Sequence, residues 1–499
     1  MRRSFRRLST ATFGQCDDAF ISALTRVCGE VSVNAAIRHR HGDDESHHPA
    51  VPPDAVAFAA STEEVQAIVR LCSERRVPVI PYGTGTSLEG HICADFGGVS
   101  LDLSRMNSVL EVNPEDMDAR VEAGVTRLHL NRELRHTGLS FMVDPGADAS
   151  IGGMAACGAS GTAAVRYGTM RETVLGCTAV TAAGEVFRTG TRARKSSAGY
   201  DLTRLLVGSE GTLGVITEIQ VKLHPLPSAV TAAVVRFDSV EGAARAAAAM
   251  LQVGIPLAKC ELLDATTIAA FNAYARDVPD MKEAPHLFLE FHGLTDAAVS
   301  EQVAMAEEVC KEEWRGAEFE FASSEDERKK LWAARHNTYY AALALRPPPP
   351  QPSPSSSSLH TSATTEAEAA EAAKGVVTDV CVPLSRLAEI MKATAEDVQR
   401  SKVVGPIFGH AGDGNFHCIL VVRPEDGPEY LKAVEGVNER LIQRALAVGG
   451  TCTGEHGVGS GKKKYLESQY GPGAVEVMRS LKRSLDPFGI LNPGKVLDM

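Results

Sequence analysis

The chain has 499 residues, of which 44% are hydrophobic and 23% charged, and carries a formal net charge of −12. That balance is ordinary for a soluble globular protein, leaves room for about three domains, and with no basic stripe argues against nucleic acid as a partner. No apolar run reaches the length of a membrane span, which leaves at most peripheral membrane association. The 11 cysteines form no C-x-x-C pair, and their odd count and irregular spacing point to a reducing compartment.

The first residues, MRRSFRRLSTATFGQ, set Arg2, Arg3, Arg6 and Arg7 among hydroxyl side chains, with no acid before Asp17. This is the composition of an organellar transit segment, taken as residues 1–15; a plain basic tail is the alternative. From Pro52 to Pro81 the pattern reads strand, helix, strand. AVAFA is a short apolar run, STEEVQAIVRLCSERR has a hydroxyl cap and acids before helical spacing, and VPVIPYG is apolar again. Further strands are expected at GVSLDLS, SVLEVNPEDMDARVEAGV and VLGCTAVTAAGEVFRT, the last as a hairpin turning at Ala183 and Gly184. At Pro225 and Pro227 the character changes, and a domain boundary is placed there. Helices such as VEGAARAAAAMLQVG then alternate with strands such as HLFLEFHG. The stretch from Arg346 to Gly375 is Pro/Ser-rich and then Ala/Glu-rich, too poor in apolar area to offset ordering, and reads as a disordered surface insertion.

Two glycine stretches interrupt the first half. PYGTGTSLEGH, from Pro81 to His91, follows a strand and lets successive amides close on an anion, although a glycine-rich turn is usually only a turn. In the second, from Gly146 to Gly168, thirteen of twenty-three residues are Gly or Ala. Such density weakens any ordinary helix or strand and suits main chain pressed against a bulky ligand such as a dinucleotide pyrophosphate. A flexible loop is the alternative, but Met154, Val165, Tyr167 and Met170 read as buried. No G-x-G-x-x-G opens a helix after a strand, and GVGSGKKK lacks the first glycine and the hydroxyl of a P-loop. A Rossmann site and nucleotide hydrolysis are therefore unsupported.

KVVGPIFGHAGDGNFHCILVV reads as two apolar strands around a tight turn at Ala411 to Gly414. That register sets His410 opposite Asn415 and Phe408 opposite His417, so His410, Asn415 and His417 share one face. Two histidines fall short of the three protein ligands usual for a catalytic metal. GTCTGEHGVG offers Glu455 as a third, with His456 beside it for proton transfer. Each pair read alone is a polar strand end or cap; their concentration in two glycine-punctuated segments favours a joint site.

Seven stretches occur in order: PYGTGTSLEGH, DPGADASIGGMAACGASGTAAVRYG, GYDLTRLLVGSEGTLGVITEIQVKLHP, LWAARHN, FGHAGDGNFH, GTCTGEHGVG and DPFGILNPGKVL. Together they resemble the FAD-linked 2-hydroxy-acid dehydrogenases, flavoproteins of the vanillyl-alcohol-oxidase type, and among these the cytochrome-c-reducing D-lactate branch of mitochondria. The resemblance runs from Asp44 to Met499 apart from the insertion. It implies an α+β fold: a two-subdomain FAD-binding domain at 44–227, an α+β cap domain at 228–447, and a helical C-terminal segment at 448–499 that returns to the FAD domain and completes the active site.

The resemblance further implies FAD contacts at Pro81, Tyr82, Gly83, Thr84, Gly85, Thr86 and Ser87. Others fall on Pro145, Gly146, Ala147, Ile151, Gly152, Gly153 and Gly161, then on Glu210, Gly211, Gly214, Ile216 and Asn492. Non-covalent attachment is expected, because no histidine precedes Leu88 in the first glycine loop. Arg335 is implied as carboxylate binder, Asn415 as substrate contact and His456 as proton acceptor. His410, His417 and Glu455 are implied as ligands of a divalent zinc or manganese. The implied reaction is oxidation of a D-2-hydroxy acid to a 2-oxo acid, with cytochrome c as electron acceptor. GVVTDVCVPL departs from relatives that act on hydroxyglutarate: the lysine for a second carboxylate is absent and Val377 or Thr378 stands nearby, which favours D-lactate. The alternatives are a dehydrogenase for glycolate or another D-2-hydroxy acid, a flavin-free metal hydrolase built on the His/Glu set, and a non-catalytic flavin binder.

Overall fold

The computed structural model describes residues 13–275, 280–346 and 373–499. The Arg-rich start, Arg2 to Arg7, and nearly all of the expected insertion lie outside them. At the expected insertion's far end, Lys374 and Gly375 belong to an edge strand, Lys374–Val377, which corrects the expected end at Gly375.

The first half carries two sheets over one core. In the 4-stranded sheet, Ala55–Phe58 and Val79–Tyr82 flank Val99–Asp102, both pairing parallel to it. The helix Thr62–Arg75 crosses between them. Ser61 caps it by accepting from the Glu64 amide, and its apolar stripe of Val65, Ile68, Val69 and Cys72 is buried. The 5-stranded sheet is antiparallel and runs Val109–Asn113, Asp118–Glu122, Val215–Lys222, Val174–Val180, Val186–Arg188. Ile490 and Leu491 from the far end of the chain are fully buried in the same core. Leu491 bridges to Val79, and the Asn492 amide donates to the Val79 carbonyl at 2.8 Å.

The glycine-rich stretch is not continuous loop. Ile151–Cys157 is a helix capped by Ser150, followed by short helices at Ala164–Tyr167 and Met170–Thr173. Gly152 sits inside the first of these, where an added Cβ would lie 2.6 Å from the Ala123 Cβ and 2.7 Å from its carbonyl oxygen. Close helix–strand packing, as much as ligand approach, therefore accounts for the glycine content. Met154 and Met170 are buried as expected, whereas Val165 and Tyr167 are half-buried.

The second half is built on an 8-stranded sheet ordered Ala317–Ala322, Ala229–Arg236, His286–Gly293, Leu257–Leu263, Ile407–His410, Asn415–Val422, Lys374–Val377, with the short strand Val380–Cys381 also pairing Asn415–Val422. Side chains alternate between its faces. One face, with Leu262, Leu287, Leu289, Ile407, Phe416 and Cys418, packs under the helices Val240–Gln252, Asp296–Glu308, Leu384–Ser401 and Pro428–Ala447. On the other, Leu263, Phe288, Phe408 and Ile419 meet the helices Ala265–Tyr274, Glu325–His336 and Thr338–Ala344. The same strands carry Glu261, His410, Asn415 and His417 at matching parity, so this second face is part apolar core and part polar site.

Candidate active site and metal centre

The hairpin has the register its turn dictates: His410 pairs with Asn415, Gly409 with Phe416 and Phe408 with His417. His410 also pairs across the sheet with Glu261. The two histidine rings stand edge to face with centroids 5.6 Å apart. His456 stacks on His417, at 4.8 Å and 13°.

Each ring of the pair has one nitrogen committed to an acceptor. His410 Nδ1 lies 2.7 Å from Glu261 Oε1, and His417 Nδ1 lies 3.1 Å from the Thr378 carbonyl oxygen. Those nitrogens must carry the hydrogen, which turns both Nε2 atoms toward one oxygen, Glu455 Oε1, at 3.0 and 3.2 Å. A neutral imidazole offers only a lone pair there, and two lone pairs facing a carboxylate repel unless positive charge lies among them. Burial opposes charge on His410, but Glu261 and Glu455 at its two nitrogens raise its pKa well above the usual histidine value. Burial likewise opposes ionisation of Glu455, and the neighbouring His410 and His417 hold it well below the usual carboxylate range. Protonation of His410 would supply that charge, and so would a bound cation, since the ligand atoms of His410, His417 and Glu455 lie within 4.8 Å of one another. Nitrogen and carboxylate donors in this number, with each histidine steadied through its other nitrogen, fit a divalent metal.

A second group, Asp379 with His417 and His456, has the same spacing. It is the poorer cage, because Asp379 is saturated with donors: Oδ2 accepts from the amides of Gly454, Glu455 and His456, and Oδ1 from Asn415 Nδ2.

Arg335 stands on the helix Glu325–His336, over the Phe408 ring at 5.0 Å, and its Nε donates to Glu261 Oε2 at 2.6 Å. Glu261 is fully buried and therefore holds both His410 and Arg335. Burial opposes its ionisation, and the neighbouring His410 and Arg335 keep its pKa below the usual range. Asn415 donates Nδ2 to Asp379 and to the Val380 carbonyl, which leaves its buried Oδ1 without a partner. His456 Nδ1 is likewise buried without a hydrogen bond, 4.0 Å from Asp379 Oδ2, and burial lowers the ring's pKa to about 4, so the ring is neutral near pH 7. Thr378 is buried with its carbonyl on His417 and its hydroxyl on the Cys418 amide, while Val377 joins the apolar cluster beside Tyr339.

The residues expected around a flavin gather in the first half. The backbone N–H groups from Gly83 to Leu88 donate to no other described residue, a cradle of unsatisfied amides after the strand Val79–Tyr82. The Cβ added at Gly146 meets nothing within 4 Å, and at Gly153 only Ser150 Oγ, whereas Gly161 is pressed on Asp144 and Gly211 on Pro81. Pro145 and Ala147 flank Gly146 in the loop before that helix, and Ile151 opens the helix from within the core. Gly214 and Ile216 lie at the start of the central strand Val215–Lys222. Asn492 donates Nδ2 to the carbonyls of His91 and Glu210, with its buried Oδ1 unmatched. These open amides and orphan oxygens suit a large, polar, phosphate-bearing cofactor such as FAD. Glu210 is also bonded within the chain: its carboxylate accepts from the amides of Val458 and Gly459, its own amide donates to Ala156, and its carbonyl accepts from Asn492. Through its carboxylate Glu210 fastens the loop that carries Glu455 and His456.

Sequence reading passed over Glu261, Asp379, Glu89 and Lys462. The signal was present for two of them, since CELL and VVTDVCV each sink one acid into an apolar strand run. Lys462 is buried between Glu89, at 2.7 Å, and Asp379, at 3.7 Å, and nothing local announces that pairing.

Residues 53–190 match the FAD binding domain family, and 226–352 with 356–496 match the C-terminal domain of FAD linked oxidases. The chain is 46% identical to "Probable D-lactate dehydrogenase, mitochondrial" of Danio rerio, over 99% of this chain and 95% of that one. It is 42% identical to "D-lactate dehydrogenase [cytochrome], mitochondrial" of Arabidopsis thaliana, over 92% and 76%, respectively. To "Glycolate oxidase subunit GlcD" of Bacillus subtilis it is 34% identical, over 89% of each. Among solved structures, p-cresol methylhydroxylase superposes with a TM-score of 0.74 at 17% identity, covering 96% of this chain and 97% of that one. The 4-ethylphenol oxidase of Gulosibacter chungangensis gives 0.73 at 21%, covering 97% and 98%. Both share the fold. Among the described residues, no helix is long and apolar enough to cross a membrane.

Proposed function

The chain belongs to the FAD-linked oxidases, with the vanillyl-alcohol-oxidase type of flavin domain, and from that premise we propose that it oxidises D-lactate to pyruvate at a metal-assisted site. The observation that carries the reading is the pair of Nε2 atoms turned on Glu455 Oε1. Substrate choice is supported by the D-lactate dehydrogenases among its relatives and by the absence of a lysine at Val377 and Thr378. The flavin family removes the metal hydrolase. Glycolate remains a second substrate reading, on the strength of the bacillary relative.

Arg335 holds the substrate carboxylate through its two terminal amines, since Nε is occupied by Glu261. Asn415, whose buried Oδ1 is unmatched within the chain, orients the substrate beside its carboxylate and hydroxyl. His456, neutral near pH 7, takes the hydroxyl proton on Nε2, the nitrogen that faces Glu455 at 3.8 Å. His410, His417 and Glu455 would hold a divalent zinc or manganese, which supplies a Lewis acid for the substrate hydroxyl. FAD, bound without a covalent link along Gly83–Ser87, Gly146 and Asn492, supplies the two-electron acceptor for the Cα hydrogen. Cytochrome c as the onward acceptor and a mitochondrial location are part of the same proposal, supported by how the relatives are named.

The test is anaerobic titration of the purified protein with each lactate enantiomer, followed by flavin absorbance and accompanied by metal analysis. Bleaching by the D form alone, with stoichiometric metal, is the expected result. Absence of bleaching by any 2-hydroxy acid overturns the reading.

A further inference from the structure

Two buried carboxylates grip the loop that carries Glu455 and His456, one from each half of the molecule. Glu210 takes the amides of Val458 at 2.6 Å and Gly459 at 2.8 Å. Asp379 takes the other side. Its Oδ2 accepts from the amides of Gly454 at 2.8 Å, Glu455 at 3.0 Å and His456 at 2.9 Å, and from Thr453 Oγ1 at 2.7 Å. Its Oδ1 accepts from Asn415 Nδ2 at 2.8 Å. We propose that Asp379 is the positioning residue of this site: one carboxylate sets the metal ligand Glu455, the base His456 and the substrate contact Asn415 at once, an inference that rests on the site reading above.

Three successive amides converging on one oxygen form an anion nest, and a neutral amide in its place offers a weaker acceptor and turns an NH2 on one neighbour. The loop approaches as far as chemistry permits. A Cβ on Gly454 would collide with the Asn415 amide and come within 3.0 Å of Asp379 Oδ1. The charge of Asp379 is balanced by Lys462, fully enclosed and shared with Glu89 at the end of the first glycine loop. Asp379 is not one of the three ligands proposed for the cation; it acts through the groups it holds.

The test uses the flavin-loaded protein and Mn²⁺ as probe. Asp379→Asn is expected to keep its flavin spectrum while the Kd for Mn²⁺ rises about 10–100-fold, the usual cost of losing a supporting partner. At saturating Mn²⁺ the limiting rate of flavin reduction by D-lactate should fall about 100-fold, with its half-saturation shifted less than about threefold because Arg335 is untouched. Asp397→Asn, which removes a buried carboxylate far from the loop, serves as the control for general destabilisation and should leave both quantities unchanged. Asp379→Asn with Mn²⁺ affinity and limiting rate within about twofold of wild type overturns the proposal. Should that variant not fold, Thr453→Val removes one donor from the same oxygen and should weaken Mn²⁺ about threefold; an unchanged affinity there overturns it equally. A wild-type protein that takes up no Mn²⁺ sinks the metal reading itself and this inference with it, an outcome distinct from failure in the variant alone.

Discussion

Around Gly83 to Leu88 and Gly146 the protein presents main chain, with amides that lack acceptors and space where a Cβ would stand. Around His410 it presents side chains, each nitrogen directed by a named partner from another strand or loop. A site of amides depends on backbone path and is sensitive mainly to what fills its glycines. A site of side chains depends on identity, and every group in it needs a second group to aim it. The two kinds should fail differently.

The largest effect belongs to the side-chain site. His456→Ala should keep the bound flavin and its absorbance, yet slow its reduction by D-lactate by about 10²–10⁴-fold, measured in a single-turnover stopped-flow experiment. Parity with wild type would remove His456 from the chemistry. Next comes Asp397, a buried carboxylate in the same half that carries no chemistry and joins Arg440 and Arg444 to the helix Leu384–Ser401. Burial opposes its ionisation, and hydrogen bonds from Arg440 and Arg444 depress its pKa strongly. A depressed carboxylate stabilises above its unfolded pKa, near 4, and loses that contribution as the pH falls through the lower folded value. Asp397→Asn should therefore cost about 2–3 kcal/mol at pH 7 in urea unfolding. The gap between variant and wild type should close as the pH drops below about 4, and a gap independent of pH would contradict the assignment.

In the backbone site, Gly152→Ala drives a methyl into Ala123 and should cost about 1–3 kcal/mol in stability, with flavin lost alongside. Gly146→Ala is the mildest. Its methyl meets no protein atom, so thermal unfolding of the apoprotein should not move, while flavin affinity falls if the cofactor occupies that space. Equal flavin affinity in both proteins would place the cofactor elsewhere.

What could be read from the sequence follows the same division. The hairpin register was legible because turn length and period-two alternation fix which residues meet, and His410 faces Asn415 as that logic requires. The capped helix Thr62–Arg75 and the strand after it were legible from local spacing. Ile151–Cys157 was not, because glycine content signals backbone freedom and cannot show that Gly152 is wedged against Ala123. Glu261 and Asp379 escaped because their partners lie 149 and 75 residues away, at His410 and Gly454, and no local pattern records a contact across such separations. Family likeness pointed to Glu210 as a cofactor contact, but could not reveal that it clasps a loop 248 residues further on.

The bridge from Leu491 to Val79 bears on synthesis. The strand at Val79 emerges from the ribosome early, yet the residue that bridges to its outer side is made more than four hundred residues later, and the flavin-holding half stays unfinished through almost the whole of translation. Nascent chains stalled before residue 490 should accordingly be chaperone clients that retain no flavin, and loading of the prosthetic group becomes a post-translational event.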